Sequence, residues 1–182
     1  MKRFETSQWV PFPVDLVFSF FANPSNLLHL VPDDLETRIL EVRLQAPPQR
    51  PPASPLLRHF PSEVAGEGSI IQISFKPLGW MPKVAWTARI TEFVWNSHFC
   101  DEQVKGPFKY FHHRHGMQEQ ARDGVRGTLV TDTIDFDQPY GILGLIAAPI
   151  AQRQLSRRFA FRQKALPESL QVAARLAEHL AL

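Results

Sequence analysis

The sequence has one cysteine, Cys100, among 182 residues. That excludes an internal disulfide framework and any metal site built from several thiolates. It has no apolar run near the ~20 residues that a membrane-spanning helix needs. The longest weakly polar stretch, 141–151, is too short and contains Pro149. Neither charge is in marked excess: 20 basic residues face 18 acidic ones, for a net charge of +2. Without a clustered basic stripe, nucleic acid is not an expected partner. A phosphate-cradling glycine loop, a dinucleotide fingerprint and a Ser-His-Asp motif are all missing. The basic start Met1-Lys2-Arg3 is followed by Glu5, Pro11, Pro13 and Asp15, which interrupt any export-signal core. The expectation is a cytoplasmic protein with no transmembrane segment.

What is present suits one domain over 1–182. Hydrophobic residues make up 44% and charged residues 21%, enough for a core and too ordered a mixture for wholesale disorder. The segment 4–10 reads as a strand, broken by Pro11 and Pro13. Pro13 and Asp15 then suit the first turn of a helix that buries Val14, Val17, Phe18 and Phe21. A short second helix follows Asn23-Pro24, through Asn26, Leu27, Leu28 and Leu30. Strand patterns fill 36–45, 69–76, 83–94, 99–104, 109–118 and 127–136. Each alternates between a dry and a wet face, as in an antiparallel sheet covered on one side. In the first of these Leu40, Val42 and Leu44 share a face; Ile71, Ile73 and Phe75 do so in the second, and Val84, Trp86, Ala88 and Ile90 in the third. Residues 46–62 hold six of the sixteen prolines and read as a polyproline-like or mobile insertion. The last forty residues are helical, with Leu145, Ala148, Gln152, Leu155, Phe159 and Leu166 on one side and Arg153, Arg157 and Lys164 on the other. Pro167 is expected to kink or break this helix, leaving a helical tail at 168–182. Strands and helices are segregated, which is the α+β pattern.

The informative segment is 99–136. If Asp101 faces His113 across the turn at Gly106-Pro107, Phe99 faces His115 and Gln103 faces Phe111. A turn at 121–124 places His113 opposite Asp132, His115 opposite Val130 and Met117 opposite Thr128. The shared face is then apolar at Phe99, Phe111, Met117, Val130, Ile134 and Phe136. It nonetheless carries Asp101, Gln103, His113, His115 and Asp132, with Asp101, His113 and Asp132 in one row. Ionisable groups on a dry face are costly unless paired, and carboxylates flanking an imidazole favour its charged form. Such a row can be a register-fixing network, the polar patch of a ligand cavity, a general acid–base site using His113 or His115 with Asp132, or a metal site. No metal-ligand spacing signature accompanies it, so no metal or cofactor is assigned.

Residues 99–108 (FCDEQVKGPF), His113-Arg-His115, Thr131-Asp132 and Pro139-Tyr-Gly141, with the opening VPFPVDLVF and Asn23-Pro24, resemble the polyketide cyclase/dehydrase-like branch of the START and birch-pollen-allergen superfamily (SRPBCC). The resemblance covers nearly the whole chain apart from the Pro-rich insertion and the tail after Pro167. Members usually have Trp where Phe111 stands and Phe where Met117 stands; both departures stay apolar. The resemblance implies a helix-grip fold, a curved antiparallel sheet around a long C-terminal helix with a cavity between. It implies carriage of a hydrophobic or amphipathic small molecule, or a cyclase or dehydratase reaction. An interaction role for the insertion or the basic helix is a third option. The expected ligand contacts are Asp101, Gln103, His113, His115 and Asp132 for a polar end. Trp86, Ile90, Phe111, Met117 and Phe159 would supply the apolar wall. Arg162 falls near the apolar side of the helix, where it reaches the cavity or snorkels to its edge. The apolar turn 78–82 reads first as packing under the Pro-rich loop, with a lid at the cavity mouth or a membrane-touching tip as alternatives. Cys100 lies on the face opposite Asp101, without a partner base, and is not expected to be a nucleophile.

Overall fold

Alternation along one strand decides which side of the sheet is dry. In the strand Val125–Asp137, residues Thr128, Val130, Asp132, Ile134 and Phe136 are all buried. Asp132 is the one charged member of that row. The computed structural model describes residues 1–52, 63–78, 80–137 and 141–180.

The strands are β1 (Lys2–Val10), β2 (Arg38–Arg43), β3 (Ile70–Phe75), β4 (Val84–Val94), β5 (His98–Lys105), β6 (Tyr110–Arg122) and β7 (Val125–Asp137). They form one antiparallel sheet in the order β1-β7-β6-β5-β4-β3-β2. Helix α1 (Val14–Ala22) and 3₁₀ turns at Pro24–Leu30 and Asp33–Leu35 connect β1 to β2. Helix α2 (Gly141–Leu180) lies across the dry face. The sheet curls around it, so that Phe4 of β1 and Phe75 of β3 both belong to the cluster around Phe159 of α2.

The core has two apolar clusters along α2. The first joins Leu166, Leu170, Ala173 and Ala177 to Leu16, Val17 and Phe18 of α1 and to Phe93, Phe99, Met117 and Val130 of the sheet. The second joins Leu155 and Phe159 to Phe75, Trp86, Phe111, Ile134 and Phe136. Leu145 and Ala148, expected on the same helix face, lie outside the described side chains.

Three expectations need correction. The β5–β6 register is as expected, with Phe99 opposite His115 and Asp101 opposite His113. The β6–β7 register is displaced by two residues: His115 faces Asp132, His113 faces Ile134 and Met117 faces Val130. The turn is the two-residue Asp123-Gly124, with φ of 50° and 77°. Both residues take positive φ, which a tight hairpin favours and Asp-Gly supplies. A displacement of two keeps every side chain on its face, so alternation could not detect it.

In β2 a bulge between Ile39 and Glu41 leaves Leu40 without a ladder partner, and Leu40, Val42 and Leu44 are exposed rather than dry. Trp80 in the turn after β3 is 83% exposed, and the expected packing of that turn under the Pro-rich segment falls largely on residues outside those described. The described start of that segment is pinned elsewhere: the Pro48 carbonyl accepts from Trp95 Nε1 at 2.8 Å, and the Arg50 guanidinium sits 5.1 Å over the Trp95 ring. Residues 53–62 lie outside the described residues, as does 138–140 of the Pro-Tyr-Gly motif.

Pro167 neither breaks nor ends α2, which runs on to Leu180 and buries Leu170 and Ala177 in the first cluster. Proline removes the N–H that would have paired with the carbonyl four residues earlier. That carbonyl belongs to Gln163, and it accepts from Gln8 Nε2 of β1 at 2.8 Å. Gln163 Nε2 returns a bond to Thr6 Oγ1 at 2.9 Å. The helix is therefore continuous because β1 replaces the missing donor. Gln8→Ala should cost about 1 kcal/mol. In a Pro167→Ala background, where the helix regains its own N–H, the same change should cost clearly less. A double-mutant cycle by chemical denaturation measures the difference, and equal costs in both backgrounds would refute the account.

Candidate functional site

A cavity of about 270 Å³ lies between α2, the second apolar cluster and the 3₁₀ turn after α1. Its wall is mainly Phe, Leu, Ile, Trp and Ala, including Trp86, Ile90, Phe111 and Phe159 as expected from the sequence. Asp101, His113 and His115 also line it, and Asp132 stands directly behind His113 and His115. Gln103 and Met117 are not among the lining residues. The Gln103 amide instead closes the β5–β6 turn, donating to the Phe108 carbonyl at 2.7 Å and accepting from Phe108 N at 3.3 Å. Met117 belongs to the first apolar cluster. Two arginines of α2, Arg158 and Arg162, line the cavity as well. Arg162 was anticipated near the cavity; Arg158 was not. Arg158 stands three residues after Leu155 and four before Arg162, the spacing that puts helix residues on one face.

The polar cluster is cross-braced. The residues directly opposite in the ladder are Asp101 and His113, and His115 and Asp132. The short hydrogen bonds run diagonally: His113 Nε2 to Asp132 Oδ1 at 2.9 Å, and His115 Nε2 to Asp101 Oδ2 at 2.9 Å. His115 Nδ1 is 3.2 Å from Asp132 Oδ1 but lies off the hydrogen-bond direction. Arg162 Nη1 is 3.1 Å from the same oxygen, and these two side chains are only 11% and 5% exposed. The rings close the gaps around the charges. His115 stacks on Phe99 at 4.3 Å, His113 meets Phe159 edge-on at 5.8 Å, and the Arg162 guanidinium lies 4.5 Å over Phe21. The cluster thus sits on the seam between the two apolar clusters.

Burial opposes charge on all four titratable groups, and the outcome depends on the partners of each. For Asp132, burial is outweighed by the Arg162 charge and the imidazole hydrogen bonds, which hold its carboxyl well below the usual range. For Asp101, burial is outweighed by the His115 hydrogen bond and both imidazoles, again lowering the carboxyl. For His115, burial is outweighed by its hydrogen bond to Asp101 and the adjacent Asp132 carboxylate, and its basicity is raised. For His113, burial and the neighbouring His115 charge prevail over Asp132, and its basicity is lowered. These directions favour a state with two carboxylates, the Arg162 guanidinium, a charged His115 and a neutral His113. The charges sum to zero. A neutral His113 donating from Nε2 leaves Nδ1 as an acceptor, 3.8 Å from Asp101 Oδ2 and outside hydrogen-bond range.

Asp101, His113 and His115 are the right types to hold a cation, with ligand atoms within 4.8 Å of one another. As arranged, His115 spends its Nε2 on Asp101, and His113 spends its Nε2 on Asp132. On the wet face Glu92, Cys100 and His112 form a similar group. There the Cys100 thiol donates to Glu92 Oε2 at 3.2 Å, and burial together with that carboxylate pushes its pKa up to about 12. It is a thiol at neutral pH, consistent with the expectation that Cys100 is not a nucleophile.

No family model and no curated protein sequence matches the chain. Solved structures do. The ZhuI aromatase/cyclase from Streptomyces sp. R1128 matches with TM-score 0.60 at 14% identity, over 96% of this chain and 94% of that one. A START superfamily protein from Mycobacterium smegmatis matches with TM-score 0.60 at 12% identity, over 93% and 97%. A nucleoside-diphosphate sugar epimerase from Corynebacterium glutamicum matches with TM-score 0.56 at 24% identity, over 92% of this chain but 29% of that one. The chain shares the helix-grip fold of these structures, a curved antiparallel sheet around a long C-terminal helix. These neighbours include an aromatase/cyclase and a START superfamily protein, so the fold alone does not choose a reaction.

The charge assignment fixes the signs of the pH dependence. The raised His115 contributes stability that is complete below the ordinary imidazole pKa and is lost as pH rises through its folded value. The lowered His113 acts oppositely, losing stability as pH falls from the ordinary imidazole pKa through its folded value. Asp101 and Asp132 contribute above the ordinary carboxylate pKa and lose their share as pH falls through their lower folded values. In an NMR titration His115 should titrate above, and His113 below, the usual imidazole value of about 6.5. Asp132→Asn should lower both imidazoles. It should also destabilise the protein by roughly 3–5 kcal/mol at neutral pH, because Arg162 is left buried without its anion. An unchanged His115 in that variant would remove Asp132 from the account.

Proposed function

We propose that this protein binds and carries a hydrophobic or amphipathic small molecule in the cavity between the sheet and α2. The observation that carries the reading is the form of the cavity: an apolar wall with polar groups gathered on one side. Such a site gains affinity from buried area and orientation from a few hydrogen bonds. At about 270 Å³ the volume lies near the lower end of the roughly 300–1,000 Å³ typical of small-molecule pockets. It favours a single-ring or medium-chain ligand over a large polycyclic one. The neutrality of the charge cluster supports carriage, since each carboxylate is already matched by a cation before any ligand enters.

One observation favours a second reading, proton transfer on a bound substrate of the cyclase or dehydratase kind. His113 lines the cavity, is held by Asp132, has its basicity lowered, and keeps Nδ1 free of a hydrogen bond among the described residues. A base needs that arrangement. The two readings separate on the fate of the ligand.

Native mass spectrometry of the freshly purified protein, compared with its denatured mass, should show an added mass that is lost on denaturation. The released molecule, re-added to ligand-free protein and recovered, should return chemically unchanged. Conversion of that molecule, abolished by His113→Ala with its binding retained, would replace carriage by catalysis. A bare native mass would count against a tight-binding carrier.

A further inference from the structure

The charges in the cavity do not cancel once Arg158 is included. Among the described residues, the charged groups that line the cavity or stand directly behind its wall are Asp101, Asp132, His115, Arg162 and Arg158. The first four sum to zero. Arg158 has no ion pair or hydrogen bond among the described residues; its guanidinium lies 4.7 Å over the ring of Phe75, itself a wall residue. Arg158 Nε is buried without a partner. The acidic residue that acts on it through space, Asp34, is half exposed and is already paired with Arg157. Burial is strong enough to pull the guanidinium down to about 10, which leaves it charged at neutral pH. One helical turn further on, Arg162 spends Nη1 on Asp132 while its Nη2 is buried and unpartnered. Two unpaired guanidinium donors on one face of α2 therefore border an apolar chamber. A buried cation without an anion is costly, and the cost is relieved when an anion arrives.

We infer that the cavity is built for a monoanionic amphipathic ligand whose carboxylate sits on Arg158, with Arg162 Nη2 as a second donor and the apolar tail along Trp86, Ile73 and Phe111. This rests on the carrier reading and narrows it to one class of ligand. The guanidinium fork matches a carboxylate in two parallel hydrogen bonds, an arrangement that an ester or alcohol cannot reproduce with full charge. One uncompensated positive charge calls for one negative charge, so dianions and cations are disfavoured.

The test uses the full chain and three ligands with the same ten-carbon skeleton: decanoate, decanol and methyl decanoate. Each is titrated by calorimetry at pH 7 into wild type and into Arg158→Met, which keeps the length and removes the charge. In wild type, decanoate should bind at least about tenfold more tightly than decanol. In Arg158→Met that preference should vanish while decanol still binds. Unliganded Arg158→Met should also melt no lower than wild type, since a charge without a partner has been removed. Equal wild-type affinity for decanoate and decanol would overturn the anion assignment and leave the carrier reading standing. A decanoate preference that survives in Arg158→Met would overturn the role of Arg158. A variant that melts well below wild type would show that Arg158 is satisfied within the fold, and would equally overturn it. Binding of none of the three to wild type would fail the carrier reading itself, and this inference with it.

Discussion

The Asp132 carboxylate is the constraint on which the rest of this structure turns. It occupies an inward position on β7, 4% exposed, in a row otherwise made of Thr, Val, Ile and Phe. A carboxylate placed there alone would be forced to take up a proton. It remains charged because its Oδ1 is shared by His113, His115 and Arg162. The first two belong to β6 and the last to α2, so one oxygen ties the centre of the sheet to the helix. The pairing fixes the rotation of α2 about its own axis, since Arg162 must face the sheet at that level. The helix then presents Leu155 and Phe159 to one apolar cluster and Leu166 and Leu170 to the other. Breaking apolar packing at the seam is the cost of this arrangement. The same break lets the cavity hold polar groups in an otherwise dry interior.

Most of the architecture was legible as alternation and element order. The dry faces of β3 to β7, the short helices after β1 and the helix along the dry face follow from where apolar residues recur. What alternation cannot see is a displacement by an even number of residues. The β6–β7 pairing shows this: all the predicted face partners are on the correct face, yet His115 rather than His113 stands opposite Asp132. Asp123-Gly124 carried the missing information, because Asp-Gly favours the turn with two positive φ angles that closes a hairpin in two residues. Local rules failed differently at Pro167. Helix propensity predicts a break there, and no local signal shows that Gln8, more than 150 residues away, supplies the missing donor.

The candidate site was legible in its chemistry and less so in its geometry. Asp101, His113, His115 and Asp132 stood out as ionisable groups on a dry face, and the structure brings them together. Gln103 stood in the same row, but strand pairing near a turn leaves a side-chain amide free to cap the turn, and it does so at Phe108. Met117 shares the face but packs within the first cluster, away from the members of it that line the cavity. Face membership therefore identifies inward residues without saying which stretch of the interior is empty. Arg158 was the reverse case. A cation on an amphipathic helix reads as a solvated residue, and its place in the stripe of Leu155, Phe159 and Arg162 outweighs that reading only once the cavity is known.

The cavity's apolar character and its charge preference are not independent. An apolar wall binds a ligand tail through removed surface, and it also removes water from any polar group beside it. Around His113 and His115 that desolvation is offset internally, by two carboxylates and two cations whose charges cancel. Around Arg158 it is not, because Asp34 is held in solvent by Arg157. The more apolar the chamber becomes, the more an uncompensated guanidinium costs and the more its partner gains. A neutral ligand would fill the chamber, strip remaining water from Arg158 and supply nothing in exchange. A carboxylate fills it and completes the charge balance in one step. Selectivity for the anion thus follows from the same dry wall that provides affinity, provided the cluster on Asp132 stays closed to the ligand's charge. The cross-braced hydrogen bonds already pair the charges of that cluster, with His115 stacked on Phe99 and Arg162 over the ring of Phe21.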